Sequence, residues 1–351
     1  MAEVPSLLES LLRAAAPSGY EAPAAEVWRE GASFATVSTD GLGSSMATIG
    51  DEDAAPLLAV VGHIDEIGLV ITHVDEKGFL YFAPVGGWDA QVLVGQRVEV
   101  QGREGPVPGV VGRKPIHLLD PEARKKVVEL KSMHIDIGAS DREAAEGLVR
   151  VGDPVVIRTE PLPVEGGRLV SKAMDNRLGA YVALESTRRA HERGNLTGRM
   201  AGVAAVQEEI GLYGARTSAF AVRPDLAVAV DVTHATDSPG IDEKEVGTHP
   251  LGSGPVIARG STLSPKVFEL LVAAAEEAGI EHSVGASGNA THTDADAIQI
   301  SRSGIPAGLV SIPLRYMHSP VEMVDLADVE ATVELIVAFA ESLTADVDLS
   351  R

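Results

Sequence analysis

Residues 57–68 read LLAVVGHIDEIG. Leu57–Val61 is an unbroken apolar run, the pattern of a strand covered on both faces. Strands of that kind belong to parallel sheets flanked by helices. The run then gives way to His63, Asp65 and Glu66. Polar, ligand-type residues thus stand just past the carboxyl end of a buried strand, where open α/β sheets bind their ligands.

Working outward, the same pattern recurs. Met200–Val206, Leu226–Val230 and Ala307–Ile312 are further apolar runs. Helical spacing predicts helices over 177–193, 265–278 and 326–343. The expected class is α/β, with a central mixed, mostly parallel sheet between helices. Leu7, Leu8, Leu11 and Leu12 predict an amphipathic helix ending near Pro17.

From Thr72 to Val164 the pattern changes to alternating apolar and polar residues broken by Gly and Pro. GQRVEVQGREGPVPGVVG and GDPVVIRTEPLPVEGG are examples. This predicts short antiparallel strands in a small, barrel-like β-rich insert. The expected division is 1–71 with 165–351 as the main domain and 72–164 as the insert. Leu118–Leu130 reads as a short helical segment within it.

Composition narrows the chemistry. With no Cys, disulfides and thiolate metal sites are excluded, so any metal must sit on His and carboxylates. With 45% hydrophobic but only 4% aromatic residues, the core must be built mainly from Val, Ala, Leu and Ile. The net charge of −22 argues against nucleic acid and anionic membranes as partners. No apolar run is long enough to span a bilayer. The N-terminal stretch carries Glu3 and Glu9 and does not read as a secretion signal. The expected location is cytoplasmic.

Five segments concentrate His, Asp and Glu. In VVGHIDEIG, His63 and Asp65 share one side of an extended chain, so Asp65 or a backbone carbonyl can orient the imidazole. In SKAMDNRLG, Asp175 opens a helix, as an N-cap or as a carboxylate shared by two metals. In AAVQEEIGLYGAR, Glu208 and Glu209 leave a buried strand together, which suits one ligand and one general base. A solvated turn is the alternative. In LAVAVDVTHATD, Asp231 ends a strand, with His234 and Asp237 following as supporting groups or as exposed polar residues. In LVSIPLRYMHSPVE, His318 follows a strand and a turn. Singly, each has an ordinary structural reading. Together they offer the nitrogen and oxygen donors that zinc, cobalt or manganese accept. Two such ions about 3.5–4 Å apart can activate a shared water and polarise a carbonyl.

At these segments the chain resembles the co-catalytic metallopeptidases of family forty-two, which include tetrahedral, glutamyl and deblocking aminopeptidases. The resemblance runs nearly end to end. It includes APSGYE, GHIDEIGLV, GGWDAQVLVGQRV, GRKPIHLLDPEARKKV, AMDNRLGAYVALE, VQEEIGLYGART, GSGPVIARG and IPLRYMHSPVE. It implies a peptidase domain with two divalent ions per subunit, zinc first and cobalt or manganese as alternatives. His63 and Asp231 would hold one ion, Glu209 and His318 the other, and Asp175 would bridge them. Glu208 would be the general base and Asp65 the orienter of His63. A cis bond between Asp175 and Asn176 is implied as well. The insert would mediate dimerisation, and dimers would assemble into a tetrahedral homododecamer.

The implied activity is removal of single residues from peptide N-termini. An N-acyl amino-acid deacylase or a carboxypeptidase could use the same centre. A glycosidase of endoglucanase type is a more remote alternative, and a non-catalytic peptide-binding scaffold is another. One departure stands out. Where the family usually has Gly-Thr-Asp, this chain has His292-Thr293-Asp294, with a role in substrate choice or in filling space.

Overall fold

In the computed structural model, which describes residues 3–350, the run at 57–61 lies in the strand Leu57–His63, buried along its whole length. It sits inside an eight-stranded sheet. From one edge the order is Thr36–Thr39, Ser45–Ile49, Arg199–Ala205, Leu57–His63, Leu226–His234, Ala307–Leu314, Val256–Gly260 and Ser283–Ser287. The third to the sixth of these run parallel to one another. Antiparallel pairings flank them on both sides. The sheet is therefore mixed with a parallel centre, as the sequence predicts.

Helices cover the sheet. Met174–Arg193, Pro265–Ala278 and Leu326–Ser342 match the predicted helical stretches closely. The first helix packs against the parallel centre so closely that glycine meets glycine. A Cβ at Gly62 would stand 2.1 Å from the Gly179 carbonyl carbon. Aliphatic side chains fill the main core, with Trp28, Tyr181 and Phe339 as its buried aromatics.

A closed six-stranded barrel is formed between the strand Leu57–His63 and the helix Met174–Arg193 in the chain. Its strands run from Gly68–Val74 to Pro154–Ile157 and enclose a separate core of Leu69, Ile71, Leu80, Val98, Val100, Ile135 and Val155. The alternation read in 72–164 includes the inside–outside alternation of barrel strands as far as Ile157, while Leu162–Val164 pairs outside the barrel with Arg168–Ser171.

Three expectations need correction. Leu118–Leu130 is not one helical segment but part of a run of separate 3₁₀ turns, Ile116–Leu118, Ala123–Lys125 and Leu130–Ser132. Pro121 lies inside the stretch, and its ring disfavours helical geometry at the preceding Asp120, which breaks a continuous helix. The N-terminal helix stops at Arg13, and a second helix, Ala22–Gly31, follows. Finally, Asp231 does not end its strand, which continues to His234 because Val232–His234 stay paired with Ile312–Leu314.

Among the described residues no helix is long and apolar enough to cross a membrane.

Candidate metal centre

The parallel strands place the polar segments side by side. His63 is the last residue of its strand, and Glu208 and Glu209 lie just past the neighbouring Arg199–Ala205. Asp231 lies in the adjoining strand, and His318 follows the turn after Ala307–Leu314. Asp175 comes from across the sheet, at the start of the helix packed on it. These six residues line one cavity of about 410 Å³.

Asp175 stands between the two imidazoles. Its Oδ1 is 3.2 Å from His63 Nε2, and its Oδ2 is 3.2 Å from His318 Nε2. Its side chain makes no helix cap, and its backbone is non-helical. The Asp175–Asn176 peptide bond is cis. Asn176 donates from Nδ2 to the Val230 carbonyl at 2.8 Å, tying the helix start to the strand that carries Asp231.

The two glutamates separate. Glu208 Oε2 lies 3.7 Å from His63 Nε2, whereas Glu209 Oε1 lies 3.3 Å from His318 Nε2. The backbone here is a tight turn, with Gln207 at φ 57° and Gly211 N–H donating to the Glu208 carbonyl at 2.9 Å. Ligand-type atoms of His63, Asp175 and Glu209 come within 4.8 Å of one another, and so do those of His63, Glu208 and Asp231.

Both imidazoles are oriented from behind. His63 Nδ1 lies 3.3 Å from the Asp65 carbonyl and 3.4 Å from its carboxylate. His318 Nδ1 lies 2.9 Å from the Gly87 carbonyl. A proton on each Nδ1 leaves the Nε2 lone pair facing the cavity. Asp65 does more than orient His63. It accepts from the Ser18 hydroxyl at 2.6 Å and from the backbone N–H groups of Glu208 and Glu209 at 3.0 and 3.2 Å. It therefore positions the glutamate turn too.

The charges do not balance within the chain. Burial, reinforced by neighbouring carboxylates, pushes the Glu208 carboxyl up to about 10 and raises Asp231 well above its usual range. Burial likewise pushes Asp294 up to about 7 and raises Glu209. Burial opposes charge on His63, but Glu208, Asp175 and Asp65 outweigh it and raise its pKa well above the ordinary value. The Asp175 and Glu209 carboxylates push His318 up to about 11. Burial alone would raise Asp175, yet its two imidazole partners hold it well below the usual range. Buried carboxylates without compensation cost several kcal/mol each, on the order of the ion desolvation penalty. Both Asp294 oxygens are buried without a hydrogen-bond partner, and buried Glu209 Oε1 has only the His318 imidazole at 3.3 Å. A donor set of imidazole nitrogens and surplus carboxylate oxygens around one cavity fits divalent cations.

All seven residues named from the sequence meet here, with Asp65 behind His63. His234 also lines the cavity, while Asp237 instead pairs with Arg315 at 2.5 Å. Sequence reasoning missed Ser18, Gly87, Asp294 and Glu322. Ser18 and Glu322 lie in the quoted APSGYE and HSPVE segments, but neither segment shows what their side chains reach.

Comparison with known proteins identifies the family and the fold. The family described as M42 glutamyl aminopeptidase matches residues 43–335. A lysyl aminopeptidase of Pyrococcus furiosus is 35% identical over 310 residues, covering 88% of this chain and 87% of that one. The crystal structure of a TET aminopeptidase from a marine sediment Thaumarchaeota archaeon superposes with a TM-score of 0.91 at 36% identity, covering 96% of each chain. The Pyrococcus horikoshii TET1 peptidase, described as assembling into a tetrahedron or a large octahedral shell, has a TM-score of 0.85 at 33% identity, covering 96% of this chain and all of that one.

Proposed function

The chain belongs to the M42 glutamyl aminopeptidase family, and from that premise we propose that it is a two-metal aminopeptidase whose working parts are the seven residues above. It is a hydrolase acting on peptide bonds. The observation that carries the site assignment is Asp175, whose two oxygens each face a different imidazole.

In this reading His63 and Asp231 would hold one ion and Glu209 and His318 the other, with Asp175 shared between them. Zinc is the first candidate, with cobalt or manganese as alternatives, since all three accept this donor set. Two cations held there supply Lewis acidity that polarises the scissile carbonyl and acidifies the attacking water. Glu208 takes the proton of that water and delivers it to the departing amine, acting first as base and then as acid. Asp65 keeps His63 oriented and the glutamate turn in place. The N-terminal side chain of the substrate would lie against Val232, Thr233, His234, Thr291, His292, Thr293 and Met317, the rest of the cavity wall.

We further assign residues 1–71 and 165–351 to catalysis and 72–164 to an inserted dimerisation domain, whose barrel strands run from Gly68 to Ile157. Dimers would assemble into a tetrahedral dodecamer in the cytoplasm. The assembly described for TET1 supports this, as do Ile116, Leu118 and Val127, each more than half exposed on the insert.

The test is release of free amino acid from unblocked and from N-acetylated peptides, with and without a chelator. Release from unblocked peptides only, abolished by chelation and restored by divalent metal, is the expected result. Equal release from both sets would instead identify a carboxypeptidase, and release of acetate from the acetylated set a deacylase.

His292 bears on selectivity. Its backbone is left-handed, at φ 56°, with its N–H held by Asp296 Oδ2 at 2.8 Å. That conformation costs a non-glycine residue about 1 kcal/mol or more, and here it sets an imidazole at the cavity wall. His292→Gly should leave metal content unchanged and alter relative rates among aminoacyl-anilide substrates by about tenfold or more, the usual worth of one pocket contact. An unchanged ranking would reduce His292 to a space filler.

A further inference from the structure

The two proposed metal positions do not rest on equal scaffolding. His63 and Asp231 stand on strands of the parallel centre, held by sheet hydrogen bonds. His318 stands in the loop between Leu314 and Glu322, where Tyr316 and His318 itself have left-handed backbones at φ 62° and 58°. Asp175 likewise lies outside regular geometry, two residues after Ala173 at φ 59°. Left to themselves, such segments have no reason to hold two ligands at a fixed separation.

One buried side chain joins them. Glu322, 2% exposed, accepts through Oε2 from the backbone N–H of Met174 at 2.7 Å and of Asp175 at 3.3 Å. Through Oε1 it accepts from the His318 N–H at 2.9 Å. A single carboxylate thus fixes the backbones that carry the bridging aspartate and the loop imidazole. Its own position is set by strand pairing. Glu322 opens the strand Glu322–Asp325, paired opposite Ser171 in the strand that leads into Asp175. Arg315 and Met323 exchange two backbone hydrogen bonds at 3.0 Å, closing the loop at its base.

We infer that Glu322 is a positioning residue that, through the His318 backbone, sets the affinity of the metal position formed by Asp175, Glu209 and His318 more strongly than that of the position formed by His63 and Asp231, with which it shares only Asp175. It touches neither substrate nor reacting atoms. It acts by holding two ligand backbones in register. This rests on the two-metal reading above.

The test uses metal-free full-length protein titrated calorimetrically with zinc, with stoichiometry checked by elemental analysis. The wild-type chain should bind two ions. Glu322→Gln replaces one acceptor oxygen by an NH₂ group that faces a backbone N–H. It should weaken one of the two binding events by about 10–100-fold, the usual cost of losing a group that orients metal ligands. His318→Ala should remove that same event. The melting temperature of the metal-free protein separates a local effect from general damage. If E322Q does not fold, Glu322→Asp, which keeps the charge but shortens its reach, carries the same comparison. Two wild-type affinities in the variant would overturn the inference, and so would equal weakening of both events together with a lower metal-free melting temperature. A wild-type chain that binds only one ion would overturn the two-metal reading itself, and the inference with it.

Discussion

Replacing Glu208 by Gln should lower kcat by about 10²–10⁴-fold, the usual scale of acid–base catalysis, while two metal ions remain bound. That corresponds to about 3–5 kcal/mol of barrier. The substitution keeps shape and volume and removes only the ability to accept a proton. Glu208 lines the cavity, and its Oε2 sits 3.7 Å from His63 Nε2. Burial and the neighbouring Asp231, Asp294 and Glu209 carboxylates favour its protonated form, with the pKa pushed up to about 10. Cations held in the cavity would reverse that balance and return the carboxylate a base needs, so base and metals would depend on each other. Steady-state kinetics on an aminoacyl anilide, with metal content measured on the same sample, checks the expectation. Turnover within a few-fold of wild type would remove Glu208 from the role, and lost metal would make it a ligand.

Gly62→Ala should have the largest effect on stability. Its added methyl would lie 2.1 Å from the Gly179 carbonyl carbon and 2.4 Å from the Ala180 nitrogen. Overpacking against side chains costs about 1–3 kcal/mol, occasionally more. Here the obstacle is helix backbone, which cannot change rotamer, so we expect 3 kcal/mol or more, or failure to accumulate folded protein. The opposing Gly179 is equally confined, since its own Cβ would stand 2.3 Å from the Val230 carbonyl oxygen. Any folded variant must push the helix outward or displace the strand, and His63 is the next residue. Reduced metal affinity should therefore accompany reduced melting temperature. A variant with wild-type values of both would show that the contact relaxes without cost.

These two residues illustrate what the sequence exposes and what it hides. The strand at 57–63 is legible because its burial on both faces is written as consecutive apolar residues. The donors are legible because strand ends in a parallel sheet share one edge, so residues far apart in number become neighbours. The pairing of Gly62 with Gly179 is not legible, since a glycine in a strand does not announce which backbone approaches it. Glu322 is hidden for a similar reason. Its importance lies in two backbone segments it reaches, and nothing in HSPVE names them. The 3₁₀ turns at 116–132 were masked by apolar residues at helical spacing, although Pro121 stands among them.

The donors are scattered along the chain, from His63 to His318, with the barrel intervening after the first of them. No early portion of the polypeptide contains a working centre. During synthesis, a chain that has already folded its first strands still lacks an imidazole and the carboxylate that braces it. In the proposed assignment, peptide-cutting power arises only once the segment carrying His318 and Glu322 has joined the strand ends. A chain still short of residue 318 would lack it.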